Sequence, residues 1–346
     1  MQIQKWQILK AGSIKRLTKI GDEIGDPTKD EIQIAVKAIG LNFADIFACQ
    51  GLYSATPKGK FTPGLEFSGI VKKIGKQVKA YKIGDSVMGV TRFGGYATHI
   101  NIDEIFVRRL PKDWTFEQGA ALIVQGLTAW YGLMELGNLK RNQYVLVQSA
   151  AGGVGLQAVG IIKKQNAIPI AVVGNIEKSN FLQAFFHLKP EQIIVRQKDN
   201  FLYQINETLK QLKIDGYHII MDAVFGNYFK PGYQNLLPMG RHILFGAADM
   251  MNKKSKPDII TTLYKYLKRP KLDPLSMISE NKGLLAFNLI WLFNEIETLN
   301  RTLSDFIDSQ PRKPFIDKVF DFDSVFNAIN HLQSGKSIGK VILKMD

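Results

Sequence analysis

The chain has 346 residues, enough for two domains with sizeable cores, and its hydrophobic share of 45% and charged share of 22% are ordinary for a globular protein. A single cysteine, Cys49, excludes an internal disulfide and a multi-cysteine zinc site. The net charge of +14 reads in two ways, as a surface for nucleic acid or anionic membrane or as lysines spread over the outside, and the lack of a long basic run favours the second.

In chain order, the first third reads as β. Residues 32–38, 67–74, 86–90 and 97–102 have strand character, punctuated at Gly75, Gly84, Gly94 and Gly95. They predict a compact, twisted antiparallel body. Residues 116–121 and 127–136 read as helices. Then strand and helix alternate: strands at 144–148, 168–173, 192–195, 217–222 and 241–246, with helices at 155–164, 179–186 and 201–212. Residues 284–287 supply a last strand, 290–307 a returning helix, and 318–320 with 341–343 complete the first body. The fold class is therefore α/β: a Rossmann-type doubly wound parallel sheet beside a mainly antiparallel β body. No apolar run is long enough to span a bilayer; 283–293 is the nearest. The first ten residues carry no secretory apolar core, so the expected location is cytoplasmic.

The most informative stretch is VLVQSAAGGVG at 145–155. An apolar strand feeds a glycine-rich turn that opens a helix. Small residues at Ala150, Gly152 and Gly155 have the dinucleotide spacing, with alanine in the first slot. The first makes a tight turn, the second lets backbone approach a pyrophosphate, and the third lets helix pack closely on strand. The helix start then offers free N–H groups and a positive dipole end to phosphate.

Other motifs lie around this one in a fixed order. They are GLNFAD at 40–45, QGLY at 50–53, PGLEFSGIV at 63–71, GDSV at 84–87, GGYA at 94–97, GLTAW at 126–130 and GKVIL at 339–343. Together they resemble the zinc-independent quinone oxidoreductase branch of the medium-chain dehydrogenase/reductase superfamily. DPL at 273–275 and ENK at 280–282 look most like its vesicle amine transport protein-like group. The resemblance covers nearly the whole chain. It implies a GroES-like catalytic domain from residues 1–125 and 289–346, a Rossmann domain from 126–288, and a homodimer built through the sheet edge near 284–287. It also implies NADPH-dependent hydride transfer to a quinone or an α,β-unsaturated carbonyl. The alternative is a protein of the same fold that binds cofactor and acts through a membrane or a partner.

The same resemblance assigns site residues. Asn42 and Tyr53 line the acceptor and nicotinamide side of the cleft, and both also read as ordinary turn and packing residues. Asp45 reads as a helix-start residue. Cofactor contacts fall to Thr128, Ala151, Gly152, Gly153, Val154, Gly174, Lys178, Arg196, Phe245 and Lys340, with a simple helix cap as the other reading of Thr128. Zinc-dependent relatives carry histidine where this chain has Leu65; Glu66 remains, and one carboxylate does not hold zinc alone. No metal is expected. Glu66 is expected to be structural, paired with a base. Cys49 reads as packing, and the five histidines have no ligand spacing.

The strand at 168–173 ends in Gly174 and Asn175 with no acid to hold ribose hydroxyls, while Lys178 and Arg196 follow. Cations there suit a 2′-phosphate and favour NADPH. Glu177 counts the other way, or is a first-turn acid favoured by the helix dipole. Finally, residues 250–283 form an insertion rich in Lys253, Lys254, Lys256, Lys265, Lys268, Arg269, Lys271 and Lys282. A helix-compatible run at 259–267 ends before Pro270. The segment reads equally as a lid with a basic face for an anionic membrane and as a solvated extension of the dimer contact. No RNA motif is present, and no specific nucleic acid partner is expected.

Overall fold

The computed structural model describes residues 1–250 and 255–345. The first seven strands are β1 Gln2–Ile8, β2 Leu17–Glu23, β3 Glu31–Gly40, β4 Glu66–Ile74, β5 Ser86–Val90, β6 His99–Asp103 and β7 Val107–Arg109. The next six are β8 Tyr144–Gln148, β9 Ile168–Val173, β10 Ile193–Val195, β11 Tyr217–Asp222, β12 Leu236–Leu244 and β13 Gly283–Ala286. The last two are β14 Ile316–Asp321 and β15 Lys340–Lys344.

Strands β8 to β13 form one parallel sheet in the order β10-β9-β8-β11-β12-β13. Side chains alternate across it: Val145 and Val147 enter one apolar core, Leu146 the other. Burial on both faces explains why β8 reads as a continuous apolar run. The remaining large sheet runs β14-β15-β3-β4-β5-β7, with β6 on β3, and is antiparallel except for β14 on β15. The fold is a Rossmann-type parallel sheet plus a GroES-like antiparallel body. C-terminal β15 sits inside the N-terminal body, so the chain ends where it began.

Several elements differ from the sequence reading. Strands β1 and β2 pair with each other and were not anticipated, because only Ile3, Trp6 and Ile8 of β1 are buried among exposed glutamines and lysines. The helix read at 290–307 is broken. A 3-10 stretch, Leu289–Asn294, precedes α-helix Ile296–Asp308, and Glu295 between them is non-helical (φ −121°, ψ 65°). Tertiary contacts set the break: Phe293 packs 5.1 Å from Phe106, and Arg92 covers Trp291 at 5.4 Å. Helix Ile296–Asp308 then buries Leu299, Leu303 and Phe306 in a core shared with the parallel sheet. Gly126 makes that close approach possible, since a Cβ there would lie 2.0 Å from the Phe306 ring. The helix read at 127–136 is α only over Ile123–Trp130 and continues as π-helix.

In the insertion, helix Ile259–Leu267 forms over the run that predicts it, and helix Pro274–Glu280 follows. Lys253 and Lys254 lie outside the described residues. The Ile14 N–H donates to the Ser255 carbonyl at 3.0 Å, so the excursion reaches from the parallel sheet to the antiparallel body. Among the described residues, no helix is long and apolar enough to cross a membrane.

Candidate active site and nucleotide groove

The glycine turn follows β8 directly. Ser149 takes a left-handed conformation (φ 54°), and helix Gly153–Lys164 starts with Gly152 as its N-cap. Gly155 is required here, because a Cβ would sit 2.4 Å from the Ser149 carbonyl oxygen. The N–H groups of Gly153, Val154 and Gly155 belong to the first helical turn, where no intrahelical acceptor exists. They face the C-terminal edge of the parallel sheet, the binding edge of open α/β folds. Gly339 docks on the turn from below: its N–H donates to the Ala151 carbonyl at 2.9 Å.

Beside the turn lies a pair of cations. Nothing approaches within 4 Å of the side-chain position of Gly174. Asn175 caps helix Ile176–Phe186 by accepting from the Lys178 N–H at 3.0 Å. The Lys178 ammonium donates to the Gly335 carbonyl at 2.7 Å. Burial lowers its pKa, and so does the nearby Arg196 charge. Arg196 lies 4.9 Å over the Tyr228 ring, and its buried Nη1 has no partner. Neither cation forms an ion pair among the described residues. Two like charges held together, one with an unmet buried donor, are what an anion would relieve. Glu177 is exposed in the first turn of its helix.

The cleft interior is built around Lys340. Its side chain is fully buried against Glu66, with which it forms an ion pair. The ammonium also donates to Asn42 Oδ1 at 2.7 Å, and to the Gln125 amide oxygen at 3.2 Å once that amide is turned. Three donors thus meet three acceptors. The sequence reading sent Lys340 to the cofactor; the structure brings it to Glu66, the base expected for that carboxylate, and leaves no hydrogen for a phosphate. Glu66 also accepts from Asn42 Nδ2 at 3.0 Å and from the Val124 N–H at 2.9 Å. Asn42 Nδ2 further lies 3.2 Å from the Gly40 carbonyl, so the whole Asn42 amide is engaged.

Asn42 and Asp45 form a reciprocal capping box at the start of helix Phe43–Gln50. Asp45 is buried, accepts from Tyr96 Oη at 3.1 Å, and leaves Oδ1 without a partner. Burial pushes its carboxyl up to about 7, against the opposing bond from the Asn42 N–H.

Tyr53 faces the cleft from the antiparallel side. Its hydroxyl donates to Asn288 Oδ1 at 2.7 Å, across to the segment that follows β13. Burial pushes the phenol up to about 12. Phe245, at the end of β12, packs its ring 6.0 Å from Phe287 on the same edge. Thr128 is neither a cap nor turned outward: its hydroxyl donates to the Val124 carbonyl at 2.7 Å, and Leu122 occupies the N-cap. Sequence reasoning gave no role to Gln125, Tyr96 or Asn288. Tyr96 lies inside a quoted motif, but Gln125 and Asn288 carried no signal.

Leu65 is buried, Cys49 is buried with its thiol pushed up to about 12, and Glu66 is engaged by lysine. Among the described residues, no cluster of three or more His, Cys, Asp or Glu is placed to hold a metal ion.

Residues 28–112 match the alcohol dehydrogenase GroES-like domain, and residues 191–343 match the zinc-binding dehydrogenase family. The synaptic vesicle membrane protein VAT-1 homolog of Rattus norvegicus is 30% identical over 320 residues, which cover 92% of this chain and 77% of the relative. That of Danio rerio is 32% identical over 318 residues; these cover 90% of this chain but 64% of the relative, under two thirds of its length. Among solved structures, the CurK enoyl reductase superposes with a TM-score of 0.82 at 26% identity, covering 100% of both chains. Escherichia coli quinone oxidoreductase, solved with NADPH, gives 0.79 at 25%, covering 99% of both. The chain belongs to the medium-chain dehydrogenase/reductase superfamily, with VAT-1 homologues and quinone oxidoreductases among its relatives.

Proposed function

We propose that this chain is an NADPH-dependent, zinc-independent reductase of quinones or α,β-unsaturated carbonyls. The observation that carries the reading is the Lys178 and Arg196 pair, without a direct ion pair among the described residues, beside the open Gly174 and the glycine turn. The relative solved with NADPH supports the same cofactor. Bound NADPH supplies a hydride, and the acceptor takes a proton to balance it. The chain's own groups orient the parts. First-turn N–H groups from Gly153 and Val154, with Ala151 and Gly152, would hold the pyrophosphate, and the two cations would hold the 2′-phosphate. Phe245 and Thr128 wall the nicotinamide side.

Tyr53 keeps its proton at neutral pH and acts as a hydrogen-bond donor to the acceptor carbonyl. Asn42 supports the wall through Glu66 and Lys340 rather than touching the acceptor. In this reading, residues 126–288 bind nucleotide, 1–125 with 289–346 form the catalytic body, and helix Ile296–Asp308 is the seam between them. A homodimer through the β13 edge and a cytoplasmic location complete it. The test is NADPH oxidation against a panel of quinones and enones. Turnover on either class supports the reading; cofactor binding without turnover on any supports the non-catalytic alternative.

A second proposal concerns the insertion. Its two helices expose Ile260 (82%), Leu275 (71%) and Ile278 (76%), along with Leu263, Tyr264, Tyr266 and Leu267. Lys268 and Arg269 lie over the Tyr264 and Tyr266 rings. An apolar face ringed by cations suits an anionic bilayer, and the Ser255 contact with Ile14 ties the same segment to the antiparallel body. Wild-type chain is expected to co-sediment with phosphatidylserine vesicles at low salt. A variant with Lys265, Lys268, Arg269 and Lys271 neutralised is expected to stay in solution. Equal behaviour of the two would contradict the proposal.

A further inference from the structure

The Tyr53 hydroxyl has one hydrogen, and Asn288 holds it. The Tyr53 Oη to Asn288 Oδ1 distance is 2.7 Å, so in this arrangement the phenol oxygen can only accept. A quinone or enone carbonyl is also an acceptor, and two acceptors facing each other gain nothing. Asn288 carries both kinds of group, acceptor and donor, on one rotating amide. Its Nδ2 is held weakly, 3.4 Å from Ser54 Oγ, at the outer limit of a hydrogen bond. Turning the amide by half a revolution breaks that contact and sets Nδ2 against Tyr53 Oη. Tyr53 then accepts from Asn288 and its own hydrogen is free to point into the cleft.

We propose that Asn288 is a positioning residue that sets the direction of the Tyr53 hydroxyl hydrogen, toward itself when the cleft is empty and toward the acceptor carbonyl when it is filled. The inference rests on the proposed reductase reading and deepens it. Asn288 stands two residues after β13 at the C-terminal edge of the parallel sheet, while Tyr53 belongs to the antiparallel body. The bond therefore joins the two bodies, and a ligand entering between them there would meet it.

The amide's dual character makes the inference testable with near-isosteric variants. Asn288→Asp can only accept, so it keeps the hydrogen turned away from the acceptor. It is expected to lower kcat/KM for quinone or enone by roughly 10- to 100-fold, the loss of one hydrogen bond of the strength made to a charged or polarised group. Asn288→Ala removes acceptor and donor together, frees the hydrogen, and is expected to lower kcat/KM by only about threefold. In a Tyr53→Phe background there is no hydrogen to direct, and Asn288→Asp is expected to add under twofold. Quinone affinity for the NADP⁺-loaded protein, titrated by fluorescence, is expected to follow the same order, with NADPH affinity steady throughout. Equal losses for the Asp and Ala variants, or a full Asp effect without the Tyr53 hydroxyl, overturn the inference while leaving the reductase reading intact. A wild type that neither binds nor turns over any quinone or enone overturns the reductase reading and the inference with it.

Discussion

Replacing Lys340 by methionine is expected to destabilise the fold by about 3–5 kcal/mol, because it leaves the Glu66 carboxylate buried without its cation. Both side chains are sealed from solvent, at 0% and 1% exposure. Glu66 would keep the Val124 N–H and the Asn42 amide, two neutral donors, while Asn42 Oδ1 and Gln125 each lose a partner. The damage would spread, since β15 carries Lys340 between the antiparallel body and the glycine turn. Urea unfolding of the wild type, Lys340→Met and the double variant Lys340→Met with Glu66→Gln measures it. The double variant is expected to recover much of the loss, because no charge remains buried. A single-variant loss under about 1 kcal/mol would contradict the assignment of Lys340 to this interior cluster.

Lys178→Ala is expected to raise the Kd for NADPH by roughly 10- to 100-fold while changing that for NADH by under twofold. A charge-assisted contact of this kind contributes about 1.5–3 kcal/mol, and only the 2′-phosphate receives it. The lost bond to the Gly335 carbonyl affects both cofactors alike and cancels in the comparison. Arg196→Ala should move in the same direction, but it also uncovers Tyr228, so Lys178 gives the cleaner measurement. Cofactor titration by fluorescence decides it, and equal weakening for NADPH and NADH would sink the 2′-phosphate role.

How much of this was legible in the sequence depends on how local each feature is. The glycine turn was legible because its spacing is mechanical: the closeness of Gly155 to the Ser149 carbonyl follows from three residues in one strand-to-helix corner. The parallel sheet was legible because burial on both faces forces apolar runs. The capping role of Asp45 was legible from three residues of spacing. Lys340 was misplaced because its partners Glu66 and Asn42 stand 274 and 298 residues away, and only the folding of β15 into the first body brings them together. The helix-cap reading of Thr128 fails because a hydroxyl in a helix has its own carbonyl four residues back within reach, and burial favoured that bond. The break at Glu295 was illegible because it is set by Phe106 and Arg92 rather than by the helix's own residues. Asn288 has no motif at all; its interest comes from the single hydroxyl opposite it.

The central claim is direct hydride transfer from NADPH to a carbonyl-activated acceptor without a metal. The most direct measurement is a single-turnover reaction of the wild-type chain with NADPH carrying two deuteriums at nicotinamide C4 and an α,β-unsaturated ketone, before and after dialysis against a chelator. The account expects one cofactor-derived deuterium at the β-carbon of the product, a solvent-derived hydrogen at the α-carbon, and an unchanged rate after chelation. A product with no cofactor-derived deuterium, or a rate that collapses on chelation and returns with zinc, would contradict it.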